Sequence, residues 1–237
     1  MKIKFIQKII DKLRGKKNAP KSSIAEDILK NNTVLISEEQ TEHVFLQLSG
    51  SNNIIDLRNL KIKGIVEINI FGDNNKITFD EHTSIGEYLK IRIGNTSKNF
   101  GKANHTEFTV GKNTTFESVQ YITYNCNAKC TIGNDCMFAF GITLFNTDAH
   151  PVFDISSGEI INKVKGINIG NHCWIGANTA ILKNTELADD TIIGWGSVVS
   201  GKNAVCHCAM GGNPAKIIKN NITWKKDGRN GYVQNEY

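Results

Sequence analysis

The chain has 237 residues, 40% of them hydrophobic and 22% charged, which describes a globular protein of one large domain or two small ones. No run approaches the ~18 consecutive apolar residues that a membrane-spanning helix needs. The formal charge of +5 is concentrated at the start, where Lys2, Lys4, Lys8, Lys12, Arg14, Lys16, Lys17 and Lys21 face Asp11 alone, so the remainder is mildly acidic and offers no nucleic-acid surface.

Ile3, Ile6, Ile9, Ile10 and Leu13 share one face of a helix expected over 2–14, with lysines around the rest and Gly15 and Pro20 closing it. Lysines interrupt every apolar stretch and no small-residue cleavage site follows, so the segment does not read as a signal peptide. Two roles stay open for residues 2–17. The helix packs on its own protein or a sister subunit, or it makes peripheral contact with an anionic membrane.

From residue 32 the pattern turns to strands. Gly50-Ser51-Asn52-Asn53-Ile54-Ile55 recurs as Gly72-Asp73-Asn74-Asn75-Lys76-Ile77, a period of 22, and Gly and Asn supply the positive φ that tight corners require. Residues 32–125 read as irregular, longer coils of a solenoid. Val110-Gly111 with Thr114, then Ile132-Gly133 with Cys136, bring in a shorter repeat that Phe138 and Leu144 continue in steps of six. The ladder breaks between Leu144 and Ile169, a gap of 25 that is not a multiple of six, so a loop over about 145–168 leaves the coil. It contains Asp148-Ala149-His150-Pro151, and a loop held by a rigid scaffold is where chemistry is commonly placed.

Then Ile169, Ile175, Ile181, Leu187, Ile193, Val199 and Val205 fall at every sixth position, each followed four residues later by a small side chain in nearly every step: Cys173, Thr179, Thr185, Thr191, Ser197, Asn203, Ala209. A period of six fits neither a helix nor a flat strand. It fits short strands turning a corner every six residues, three sides to an 18-residue coil, the pattern of an all-β parallel β-helix. The chain leaves the repeat through Gly212-Asn213-Pro214, and 215–219 reads as a short C-terminal helix before a basic tail. The expected organisation is an N-terminal segment 1–31, a solenoid domain 32–212, and a helix and tail over 213–237.

Of six cysteines, Cys130, Cys136 and Cys173 occupy the small-residue slot, where a thiol is a small hydrophobe. Cys206-His207-Cys208 is too closely spaced for a zinc-finger site, so no metal is expected. Reduced thiols point to a cytoplasmic protein.

The pieces Asp148-Ala149-His150-Pro151, Ile169-Gly170-Asn171-His172-Cys173-Trp174-Ile175-Gly176-Ala177, Ile181-Leu182-Lys183, Ile193-Gly194 and Gly212-Asn213-Pro214-Ala215-Lys216 together resemble the left-handed β-helix, hexapeptide-repeat acyltransferases. They are most similar to the branch of sugar and capsular-polysaccharide O-acetyltransferases. The resemblance implies acetyl-coenzyme A as donor, a carbohydrate acceptor, a homotrimer with active sites between subunits, and a cytoplasmic enzyme, at the inner face of the membrane if the basic segment binds there. It implies His150 as general base, a role imidazole suits because it titrates near neutrality. Asp148 would hold the ring tautomer, although a backbone carbonyl would serve as well. Trp174 matches an active-site tryptophan whose indole N–H orients the acceptor oxygen or helps stabilise the oxyanion, or else an aromatic buried at the trimer interface.

For the donor, an 18-residue coil puts Gly176 over Gly194 and Ala177 over Trp195, a corner whose backbone would meet pantetheine. Trp195 stands where the family usually has a small residue, so it packs on the coenzyme or covers the corner. Ser200 and Gly201 match positions near the pantetheine and nucleotide end, and Lys216 and Lys219 match the basic residues that meet the phosphates. Competing readings are N-acetylation of an amino sugar, a xenobiotic acetyltransferase, and a non-catalytic binding solenoid. A β-helical carbonic anhydrase using His105, His172 and His207 lacks the required His-x4-His pair.

Overall fold

The computed structural model describes residues 31–97 and 100–226, and the expected helix over 2–14 and the tail beyond 226 lie outside them. Among the described residues the chain is almost entirely β, and the strands wind into a prism with three walls.

The first wall stacks eight strands in parallel, from Thr33–Leu35 to Lys202–Asn203. The other two walls form one hydrogen-bonded sheet because Thr83–Ile93 and Thr115–Thr123 bend around the corner between them, with the register shifting at Ile85/Tyr88. The second wall runs through Leu60–Ile62, Met137–Phe138, Trp174–Ile175, Thr191–Ile193 and Cys208–Gly212. The third runs through Val44–Ser49, Ile65–Phe71, Ile142–Phe145, Ala180–Leu182 and Val198–Val199.

Register records how coil length changes. Ile54 pairs with Lys76 and Glu107 with Lys129, both 22 apart, whereas Lys76 pairs with Glu107, 31 apart. Cys130 pairs with Ile167, 37 apart, and Ile167 with Thr185, 18 apart. Two segments are therefore extruded, one near 94–103 and one near 145–166. Both leave the corner between the third and first walls.

Six of the seven ladder residues, Ile169 to Val199, are buried as expected. Val205 is not: it is 43% exposed, because Leu187 pairs with Asn203, only 16 residues on, and Asn203 fills the inward slot. The same slip puts Cys208, not Ala209, in the buried small-residue position. The reason for small polar residues at the corners is visible. The hydroxyls of Thr179, Thr185, Thr191 and Ser197 each donate to the carbonyl three residues earlier, at 2.6–2.8 Å. The residue before each takes positive φ (Asn178, Asn184, Asp190 and Gly196), as does His172 before Cys173. His105 and His207 are corner residues of the same kind.

In the longer coils an asparagine ladder does the corner work. Asn53 donates to Asn32 Oδ1 and to Gly72 O and accepts the backbone N–H and the side-chain amide of Asn75 at 2.9 Å; Asn75 Oδ1 in turn accepts Thr106 N–H. Both Asn53 and Asn75 are fully buried.

The expected helix over 215–219 is a strand. Ala215–Asn220 folds back antiparallel on Cys208–Gly212. β-branched Ile217 and Ile218 favour extended backbone, and the last strand of the second wall offers unpaired peptide groups that a single helical turn could not satisfy. The chain then climbs the corner between the first and second walls. Ile222 N–H bonds His207 O, the Trp224 indole N–H donates to His172 O at 2.8 Å, and Lys226 Nζ reaches Asn113 O.

Candidate active site

The 145–166 segment leaves the third wall after Phe145 and rejoins the first wall at Ile167, so His150 stands at their shared corner, its side chain exposed. Beyond it the segment makes a short arm closed by the Phe153–Ile160 bridge, with a turn in which Asp154 accepts from Ser156 and Ser157. His150 lies on a cleft of ≈ 290 Å³ lined by Asn125, Cys126, Asp148, Pro151, Ile160, Asn162 and Lys163.

Asp148 does not hold the imidazole. Its carboxylate accepts the Asn162 amide at 2.7 Å and pairs with Lys183 Nζ at 3.2 Å, and no described residue hydrogen-bonds the His150 ring. Asn162 also donates to His150 O, so the pair fixes the loop backbone around the histidine. Lys183 is only 15% exposed and neutralises Asp148, whereas Lys163 has no acid partner among the described residues. What does touch the ring is Phe100, from the other extruded segment, with ring centroids 5.5 Å apart. Sequence reading missed Phe100, Tyr124 and Asn162, and it gave Lys183 no role beyond its place in the Ile181-Leu182-Lys183 motif. The 31-residue step that carries Phe100 left only a Gly/Asn/Ser-rich string, Gly94 to Asn104, as its signal.

The other expected site residues lie elsewhere on the same chain. Trp174 is on the second wall, 37% exposed, its outer face beside Trp224, which is stacked on His172 at 4.6 Å. Gly176 lies over Gly194 and Ala177 over Trp195 as expected, at the corner between the second and third walls: Gly196 N–H bonds Ala177 O and Gly176 N–H bonds Ile193 O. Trp195 is 75% exposed. Gly194 stacks in turn on Gly211, the partner of Lys216, leaving a strip of outer surface without side chains. Ser200 and Gly201 fall at a different corner, the one that carries His150. A bulge at Ala209/Met210 places Lys216 opposite Gly211 and Lys219 opposite Ala209, so both lysines share the outward face. Cys206 is exposed and Cys208 buried, so the two thiols do not converge.

A polysialic acid O-acetyltransferase of Neisseria meningitidis is 30% identical over 187 residues, covering 74% of this chain and 86% of the relative. The chain belongs to the hexapeptide-repeat acyltransferases, in the capsular-polysaccharide O-acetyltransferase branch. A second polysialic acid O-acetyltransferase, from Escherichia coli O1:K1, is 37% identical over 140 residues, 57% of this chain and 45% of that protein's length. Among solved structures, the polysialic-acid-specific acetyltransferase NeuO superposes with a TM-score of 0.65 at 31% identity over 84% of each chain. The polysialic acid O-acetyltransferase OatWY gives 0.65 at 27% identity, over 83% of this chain and 89% of the other. No family model matches. The fold is accordingly the left-handed β-helix of this family, and the chain is an acyltransferase that moves an acetyl group to a polysaccharide hydroxyl.

Proposed function

We propose that the enzyme takes the acetyl group from acetyl-coenzyme A and delivers it to a hydroxyl of an acidic polysaccharide, with polysialic acid, the acceptor named for its relatives, as the first candidate. The observation that carries this reading is His150, exposed on the cleft rim with Lys163 beside it and no acid partner for that lysine. His150 removes the acceptor proton as the oxygen attacks. Lys163 supplies the counter-charge for the carboxylate of a sialic acid unit, a point-charge role suited to lysine. Asp148 and Asn162 hold the loop backbone, with Lys183 neutralising Asp148.

The surface also fits an extended coenzyme. The side-chain-free strip over Gly194 and Gly211 leads to Lys216 and Lys219, which lie outward with no acid partner among the described residues. An ideal Cβ on Gly194 or Gly211 would find only ordinary contacts, at 3.4 Å or more, whereas one on Gly176 would collide with Ile193 O at 2.6 Å, so the face free of side chains is that of Gly194 and Gly211. Backbone there would hold the pantetheine arm and the lysines the phosphates. The coenzyme supplies the activated acetyl thioester.

A homotrimer completes the site in this reading. In the later coils, outward residues of the second wall (Met137, Ala139, Trp174, Ile192) and the third (Ile122, Phe145, Leu182, Val198) are mostly apolar, while those of the first (Lys129, Asn168, Glu186, Lys202) are polar. Two different apolar walls on one prism suit a closed ring in which wall two of one copy meets wall three of the next. Trp174 would then face the neighbour's His150. Six free thiols suit the cytoplasm as the setting. The decisive experiment follows thiol release with polysialic acid and with a neutral polysaccharide. His150→Ala should lose turnover by a factor of about 10² or more while keeping its β-sheet spectrum. Near wild-type turnover in that variant would sink the assignment.

A further inference from the structure

A general base must present its lone pair in one direction, and an imidazole turns about two side-chain bonds. In this protein no described residue hydrogen-bonds the His150 ring, and Asp148 is occupied by Lys183 and Asn162. Something else must fix the plane. The only ring in contact with it among the described residues is Phe100, with centroids 5.5 Å apart and planes inclined by 59°, inside the range of favourable tilted aromatic pairs.

Phe100 is itself well placed. Its ring rests on Tyr124, centroids 4.9 Å apart. The segment that carries it closes on itself, since Asn95 N–H bonds Gly101 O, Gly101 N–H bonds Ser97 O, and Asn95 Oδ1 accepts Ser97 N–H. Its base is tied to the coil below: the Cys126 thiol donates to Lys102 O and its sulfur accepts Asn104 N–H, while Ala103 N–H bonds Phe71 O. The result is a stack of three rings, Tyr124, Phe100 and His150, spanning both extruded segments at one corner of the prism.

We propose that Phe100 is a positioning residue for the catalytic base. Phe100 sets the imidazole plane by ring packing in place of a carboxylate, and shields one ring face from water. The inference rests on the reading of His150 as base. It adds that a second loop, distant in sequence, fixes that base's geometry.

The test uses the full-length enzyme and four measurements: kcat, donor KM, acceptor KM, and the rate at which His150 is carbethoxylated by diethylpyrocarbonate, read by peptide mapping. Misplacement of a reacting group by about 1 Å costs about 10²-fold, so Phe100→Ala should lower kcat by roughly 10- to 100-fold. Donor KM should be unchanged, His150 should be carbethoxylated faster, and Phe100→Tyr should restore both readouts. A merely structural role would move neither the kcat-to-KM split nor the His150 reaction rate. Wild-type kcat in Phe100→Ala, with His150→Ala inactive, overturns the positioning role and leaves the base assignment standing. Wild-type kcat in His150→Ala overturns both. Should Phe100→Ala fail to fold, the unmodified protein still decides: His150 should react severalfold more slowly than His82, which is also exposed, and equal rates overturn the proposal.

Discussion

Replacing Asn53 by Ala removes the middle rung of the asparagine ladder. Its side chain makes two donations, to Asn32 Oδ1 and Gly72 O, and accepts two bonds from Asn75. Alanine leaves the Asn75 backbone N–H, the Asn75 amide and the Gly72 carbonyl without those partners, at a site where Asn53 and Asn75 are both fully buried. A buried polar group stranded in this way costs about 1–3 kcal/mol. Taking the low end for each of the three gives a loss of about 3 kcal/mol, because the vacated space can admit a water molecule. For a chain of this size, about 2–4 °C per kcal/mol translates that into a melting temperature about 6–12 °C lower. Thermal denaturation followed by circular dichroism measures it. The double variant Asn53→Ala/Asn75→Ala should lose less than the two singles added, because both cut the same bonds. A shift below about 2 °C for Asn53→Ala would show that the ladder is decoration and that aliphatic stacking alone holds the coil.

Asp148→Ala should lower turnover by no more than about tenfold, against about 10²-fold or more for His150→Ala. Equal losses in steady-state kinetics would show that the carboxylate acts on the imidazole after all. Glu67 is held down to a pKa of about 2 by the Tyr88 hydroxyl, helped by Lys90 and Asn69, while Tyr88 is pushed up to about 12. Its folded value lies below the ordinary ~4.3, so its stabilising effect is complete above that pH and is lost as the pH falls toward 2. Glu67→Gln should therefore flatten the melting temperature's acid decline in that window, and an unchanged slope refutes it. Lys216→Ala and Lys219→Ala should each raise the KM for acetyl-coenzyme A more than for a donor lacking the 3′-phosphate. Equal effects on the two donors would place those lysines away from that phosphate.

The solenoid was legible from Ile169 to Val199 because inward aliphatic side chains and corner hydroxyls both repeat every six residues, two independent signals in phase. It failed at Val205 because the last coil shortens, and a fixed period cannot register a lost residue. The strand over Ala215–Asn220 was misread because a short run containing two isoleucines carries no period to choose by, and an unpaired neighbouring strand decided the outcome. His150 could be found because its loop interrupts a strict ladder. Phe100 could not, since its loop interrupts coils of 21 and 22 residues that carry no six-residue ladder to break. Asp148 was credited with a role by its nearness in sequence to His150. Lys183, 35 positions further on, was brought to it only by coil stacking.

A stack of parallel coils has two open ends, and nothing in its repeat tells it when to stop growing. The antiparallel return of Ala215–Asn220 supplies that stop on the second wall. Any further strand on that wall would have to meet an edge strand that carries Lys216 and Lys219, and charged edge strands discourage pairing. The neighbouring walls end in the two-residue strands Val198–Val199 and Lys202–Asn203, too short to recruit a partner. The strand Ala215–Asn220 thus blunts one wall at this end of the stack, where a protein built like one layer of a fibre would otherwise present a regular edge.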